Sequence, residues 1–392
     1  MNRRLLLAVT GLMLLASACS PLIQADTNFR NGQYAESVPY YREYLQSSPK
    51  NAQARARLGY ALLQNGKFDQ AATELAKALQ LDPTNGFATL YLGQAYLMGG
   101  RSDAAARVWR SYSDANMPMV QAAVKRQLTL VRMLAGRQLA QQALEQEDSL
   151  SAADLHPGAV AVSAFKPFTD DAYLVPLKKA LQSMIIADLA KIHGVEALDR
   201  FRILGLMEAL QPGSQGVITP ESAARAGLLL QAENVVVGGL YPGLQATPTI
   251  ISAPGGEIRA TFNLNFPQRK FNQLVQAAAL QIATGAGVPV TEQEKPLLAG
   301  EALDFLSVLD FGAGLEAIDR MQWAKARRSF ANALERNPNF ELCQEWLSST
   351  PEQDAAGGDV KPADIAAVVN AAVRAQVKAN DKPSLYDAAM LQ

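Results

Sequence analysis

Glycine returns at a fixed interval near the start of the chain: Gly32, Gly66 and Gly100 each lie 34 residues from the next. This period is the strongest constraint on the fold, because so short a unit cannot cover its own apolar face and must borrow its neighbours to do so. Other positions keep the same step: Pro49 with Pro83, Leu58 with Leu92, Gly59 with Gly93, and Tyr34 with Phe68. Ser37, Ala71 and Ala105 share one position, Tyr41, Leu75 and Trp109 a second, and Tyr44, Ala78 and Tyr112 a third. The pattern predicts pairs of antiparallel helices. Small Gly59 and Ala71 let the two helices touch, Leu58, Leu62, Leu75 and Leu79 fill the seam, and Pro83 stops the second helix.

Over Ala25 to Met117, and best over Asn51 to Thr84, these residues resemble the tetratricopeptide repeat. The resemblance implies a curved α-solenoid with a concave surface for a peptide or protein, and no catalysis; the alternative is that the repeats only pack on the middle of the chain. Pro118 to Gln146 continues as helix, with Val120, Val124, Leu128 and Val131 on one face, so the helical array is assigned 19–146. A further copy follows at Leu303 to Pro338. Gly314, Trp323, Ala326, Phe330, Ala333 and Pro338 take the places of Gly59, Phe68, Ala71, Leu75, Ala78 and Pro83, each 255 residues on. That offset is not a multiple of the repeat, so 303–348 is expected to be a separate helical pair.

Between them, 157–292 changes character. Thr219 to Leu240 reads as a helix delivered straight into Val235-Val236-Val237-Gly238-Gly239-Leu240, a β-branched run too short for a helix. A wholly apolar strand implies a sheet covered on both faces, hence an α/β domain with a mixed sheet. Ala159 to Phe165 is a strand, and Pro176 to His193 a helix whose stripe of Leu177, Leu181, Met184, Ile185, Leu189 and Ile192 includes Asp188. A carboxylate there needs a partner or must edge into solvent. Val195 to Leu198 is a short strand, Phe201 to Leu210 and Lys270 to Ala283 are helices, and 245–266 is a hairpin about Pro254-Gly255-Gly256. The fold class is therefore multidomain, α plus α/β.

In order, Phe165-Lys166-Pro167-Phe168, Met184 to Leu189, Asp199-Arg200-Phe201-Arg202-Ile203 and Ala223 to Gly239 resemble the curli-assembly lipoprotein family. The N-terminal domain of the Tol-system translocation protein is similar. The resemblance covers about Pro157 to Thr291 and departs at Gln231-Ala232-Glu233-Asn234, where relatives often have Gly-Ala-Asp. It implies an ion pair between Asp188 and Arg200 or Arg202. The family includes an oligomeric export channel whose subunits donate membrane strands. Ile258, Ala260, Phe262, Leu264 and Phe266 alternate with polar residues over a length that spans a bilayer when tilted. The same alternation also suits a half-buried soluble strand.

Arg3 and Arg4 ahead of Leu5 to Leu15 read as an export signal over 1–18, and Leu15-Ala16-Ser17-Ala18-Cys19 resembles the lipobox of bacterial lipoproteins. That makes Cys19 the expected lipidation site and, with Ser20 after it, the outer membrane, facing the periplasm, the expected address. The alternative is cleavage after Ala18 with Cys19 left as a free thiol. A net charge of −1 gives no footprint for nucleic acid, and two Cys with two His leave no zinc spacing. No nucleophile elbow or phosphate-binding glycine loop is present. The sequence thus predicts no catalytic residue, cofactor or metal. Cys343, between Leu342 and Trp346, is expected to be a core thiol. In the tail, 351–392, a linker precedes an Ala/Val helix from Ala363 to Lys378 that docks on the body or on another chain. The expected role is a protein-binding scaffold or assembly factor of the envelope, a homo-oligomer being possible; the alternative is a subunit of a secretion channel.

Overall fold

Three helical hairpins open the described residues: α1 (Pro21–Arg30) with α2 (Tyr34–Ser47), α3 (Ala52–Gln64) with α4 (Phe68–Leu81), and α5 (Gly86–Met98) with α6 (Ser102–Arg110). The computed structural model describes residues 20–212, 216–298, 300, 302–352 and 360–379. The export signal and Cys19 lie outside the described residues. Each repeat glycine closes its hairpin turn in the left-handed region, with φ of 71° at Gly32, 69° at Gly66 and 74° at Gly100, which a side chain rarely tolerates. Asn51 and Asn85, one period apart, cap α3 and α5: each Oδ1 accepts an N–H, from Ala54 and Ala88, at 2.9 Å.

Helix α7 (Pro118–Glu145) follows, and the described chain falls into two compact units divided within it. Residues up to Val131 join those from Lys361 onward in one unit, and Arg132–Val360 form the other.

In the second unit come β1 (His156–Val162), β2 (Lys166–Pro167), α8 (Leu174–Leu189), β3 (Glu196–Ala197), α9 (Arg200–Leu210), α10 (Pro220–Leu230) and β4 (Ala232–Tyr241). After them are β5 (Gln245–Ser252), β6 (Ile258–Thr261), β7 (Leu264–Asn265), α11 (Phe271–Gly285) and the short α12 (Lys295–Leu298). The seven strands make one mixed sheet in the order β3-β1-β4-β5-β6, with β2 on the far end of β4 and β7 on β5. β1 and β2 run parallel to β4, and β5 antiparallel to it.

Strand alternation divides the core. Ala159, Ala161, Val235, Val237 and Ile251 pack with Ile203, Leu206 and Met207 of α9 and Ala223, Ala226, Leu229 and Leu230 of α10. On the opposite face, Gln182 of α8 donates to the Val162 carbonyl at 2.8 Å, and Gly285 of α11 lies against Ile250 and Ala260. The sheet is covered on both faces, as the apolar run in β4 predicts. The 245–266 segment forms part of it. Pro248 faces Phe262, whose N–H donates to the Pro248 carbonyl at 2.9 Å. Proline has no N–H to return, and β6 ends one residue earlier, at Thr261.

The unit closes with α13 (Phe305–Asp319), α14 (Trp323–Arg336) and α15 (Glu341–Ser349). α13 lies directly on α8, where a Cβ on Gly312 would fall 1.9 Å from the Pro176 carbonyl oxygen. The last described element, α16 (Pro362–Ala379), belongs to the first unit.

Candidate functional site

In the first unit the leading helices of the hairpins, α1, α3 and α5, stand side by side and make one face. Their separation from the trailing helices is set by glycine: a Cβ on Gly59 would lie 2.5 Å from Leu75 Cγ, and one on Gly93 2.0 Å from Trp109 Nε1. The Trp109 ring is fixed by its own hydrogen bond to the Leu90 carbonyl, 3.0 Å away. A relay of aromatic rings crosses the leading helices. Phe29 and Tyr34 each meet Tyr60, with centroids 5.7 and 5.4 Å apart, and Tyr60 meets Tyr91 at 4.5 Å. Burial pushes the hydroxyls of Tyr60 and Tyr91 well above the ordinary tyrosine value.

Helix α16 packs on the α5 side of this face. Ile365, Val369 and Val373, at four-residue steps, are each at most 1% exposed. Fully burying side chains of this kind contributes roughly 1.5–3 kcal/mol each, enough together to hold a helix that is marginal alone in water. Two buried amides set its register. Gln94 of α5 donates through Nε2 to Asn370 Oδ1 at 2.7 Å, and Gln376 Oε1 accepts the Met119 N–H of the first turn of α7 at 2.8 Å. The second bond satisfies one of the backbone donors that a helix start leaves open. Arg374 acts on both Tyr60 and Tyr91, lowering what burial has raised.

The second unit disposes of the sequence-predicted ion pair differently. Asp188 is brought to neither Arg200 nor Arg202. Its Oδ1 takes Lys191 Nζ at 2.8 Å, one helical turn away, and burial raises its carboxyl while Lys191 opposes that. Arg200 instead donates through Nη2 to both oxygens of Asp319 of α13, at 2.8 and 2.7 Å, and Lys179 Nζ lies 2.8 Å from the same carboxylate. Burial works to raise the Asp319 carboxyl, but the charges of Arg200 and Lys179 outweigh it and hold the group below its ordinary value. Arg202 donates to the Leu230 carbonyl at 2.9 Å, at the end of α10. The pairing failed because Arg200 is claimed by Asp319 of α13, 119 residues later, a partner that no local spacing reveals.

Of the other residues singled out, Cys343 is fully buried, its thiol directed at the Phe330 carbonyl 3.4 Å away, and burial pushes it up to about 12. Phe168, half exposed, stacks on Tyr241 at 4.4 Å with the planes 7° apart. Among the described residues no three His, Cys, Asp or Glu side chains gather as a metal site would need, and no helix is long and apolar enough to cross a membrane.

Two tetratricopeptide-repeat family models match the chain, over residues 24–86 and 62–125. The opening hairpins are tetratricopeptide repeats. Such repeats generally bind protein partners, which suggests an interaction scaffold. Similar solved structures include an O-GlcNAc transferase mutant from Thermobaculum terrenum, 17% identical, covering 52% of this chain and 42% of its own, with a TM-score of 0.25. A tetratricopeptide repeat protein from Parabacteroides merdae is 12% identical, over 83% of this chain and 96% of its own, with a TM-score of 0.25. Yeast Tom70 is 14% identical over 82% and 66%, with a TM-score of 0.24. Scores this low carry no argument about architecture or function. The chain spans about two fifths of the transferase's length. No curated protein matches it.

Sequence reading missed two parts of the groove. The caps at Asn51 and Asn85 were visible in the period itself. The seat of α16 was signalled by α5, GFATLYLGQAYLM, a helix apolar on every side, which must be covered on every side.

Proposed function

We propose that the protein is a non-catalytic, envelope-bound scaffold that takes a protein partner in the groove of its tetratricopeptide repeats. The observation that carries this is the groove itself: an apolar, ring-lined face of α1, α3 and α5 with a helix seated on α5 through the Gln94–Asn370 amide pair. An acyl chain on Cys19 would hold the body at the outer membrane, facing the periplasm, since two or more such chains anchor stably at about 0.8 kcal/mol per buried methylene. The curli-assembly-like order of motifs in 157–292 supports a role in envelope assembly or export, with that domain binding a second partner or self-associating. No described feature favours the channel alternative over this one.

Cross-linking in intact cells, with the cross-linked peptides mapped by mass spectrometry, tests the binding role. Links between a second protein and residues 24–125 are expected; links within the chain alone would contradict it. Labelled palmitate should enter the wild type and not Cys19→Ala, and the variant should leave the membrane fraction. A Cys19→Ala chain that stays with the membrane would remove the anchor.

A further inference from the structure

We infer that the partner of the groove is itself an amphipathic helix patterned like residues 365–376, and that α16 is a built-in stopper which this partner must displace. The inference rests on the groove being a protein-binding site, and it adds the kind of partner and the control.

Three observations carry it. The first is what the face accepts. Ile365, Val369 and Val373 are buried where α16 lies on α5, Gln94 of α5 donates to Asn370, and the Met119 N–H at the start of α7 donates to Gln376. Any helix with branched aliphatic residues at its first, fifth and ninth places, and amides at its sixth and twelfth, presents the same stripe. The second is that α16 is not a repeat. It keeps no 34-residue step with the hairpins, and 276 residues separate Asn370 from the Gln94 that receives it. The hairpins therefore do not need it to continue their own ladder. The third is that α5 is apolar on both sides, so its face cannot stay open to water when no partner is present. A helix on the same chain covers it at an effective concentration on the order of millimolar. A partner must compete with that helix, and a partner concentrated at the same membrane does so most readily.

The test uses the full chain and a fluorescein-labelled peptide of residues 362–379, read by anisotropy. In the full-length double variant Val369→Glu/Val373→Glu the cis helix carries two charges into an apolar seat and should leave it. The peptide should then bind the variant at least tenfold more tightly than the wild type, and a peptide carrying Val369→Glu should bind neither. Equal binding to both chains, or none to the variant, would overturn the inference. As a second reading independent of the variant's folding, excess peptide added to the wild-type chain should speed amide exchange at the chain's own residues 365–376. Unchanged protection there would overturn it as well. The two failures are distinguishable: missing inter-protein cross-links at residues 24–125 remove the binding role, whereas an indifferent peptide removes the stopper alone.

Discussion

Met321 stands 255 residues after Gly66, the same offset that relates Gly314 to Gly59, and it closes the turn between α13 and α14 with φ of 54°. The later hairpin thus makes the turn of the early ones without their glycine. A left-handed side chain costs on the order of 1 kcal/mol, partly offset by the greater unfolded-state freedom of glycine. Met321→Gly should therefore raise stability by about 0.5–1 kcal/mol, read as a higher denaturant midpoint. Two aspartates in the same unit should behave oppositely. Asp319→Asn leaves Lys179 and Arg200 buried without their counter-charge and should cost about 3–5 kcal/mol. Because the folded Asp319 carboxyl sits below its ordinary value, its contribution is present above the usual carboxylate range and fades as pH falls through the folded value. Asp188 is raised by burial, so its charge is a burden that Lys191 only partly offsets, and Asp188→Asn should shift stability by no more than about 1 kcal/mol. Equilibrium unfolding of both variants checks the contrast. The sequence placed Asp188 correctly on a buried stripe. It could not show that Arg200 looks to Asp319, because nothing local to either residue encodes the other.

Elements were legible where a period existed. The glycine step located the hairpins, and the offset copy located α13 and α14. The run in β4 announced a sheet with two covered faces. Boundaries shifted at the edges: α8 starts at Leu174 rather than Pro176, and β3 shrinks to Glu196–Ala197. The close approach of paired helices recurs at sixteen-residue spacing, glycine against a bulky residue: Gly59 with Leu75, Gly93 with Trp109, Gly314 with Phe330. Trp109 cannot retreat, since its indole N–H is bonded to Leu90. Gly93→Ala should therefore force α5 and α6 apart and cost about 1–3 kcal/mol, a loss visible as a lower melting midpoint. α16 stayed ambiguous in the sequence between the body and another chain, because an Ala/Val helix names no partner. What settles its seat is the surplus apolar face of α5, together with Gln94, a buried amide that requires an answering group.

Across the whole chain, two kinds of construction share one polypeptide. Stacked hairpins present a face that must be covered, and an α/β unit locks its own sheet between helices and fastens α13 to α8 through Asp319. The first carries, on α5, an apolar face and a buried amide that together make a seat for a helix. Amide hydrogen exchange on the full chain tests that seat most directly. Residues 365–376 should exchange slowly, at rates comparable to those of α5, and Val369→Glu/Val373→Glu should release them while the α/β unit keeps its protection. Exchange of residues 365–376 at the rate of an unstructured peptide in the wild-type chain would contradict the account.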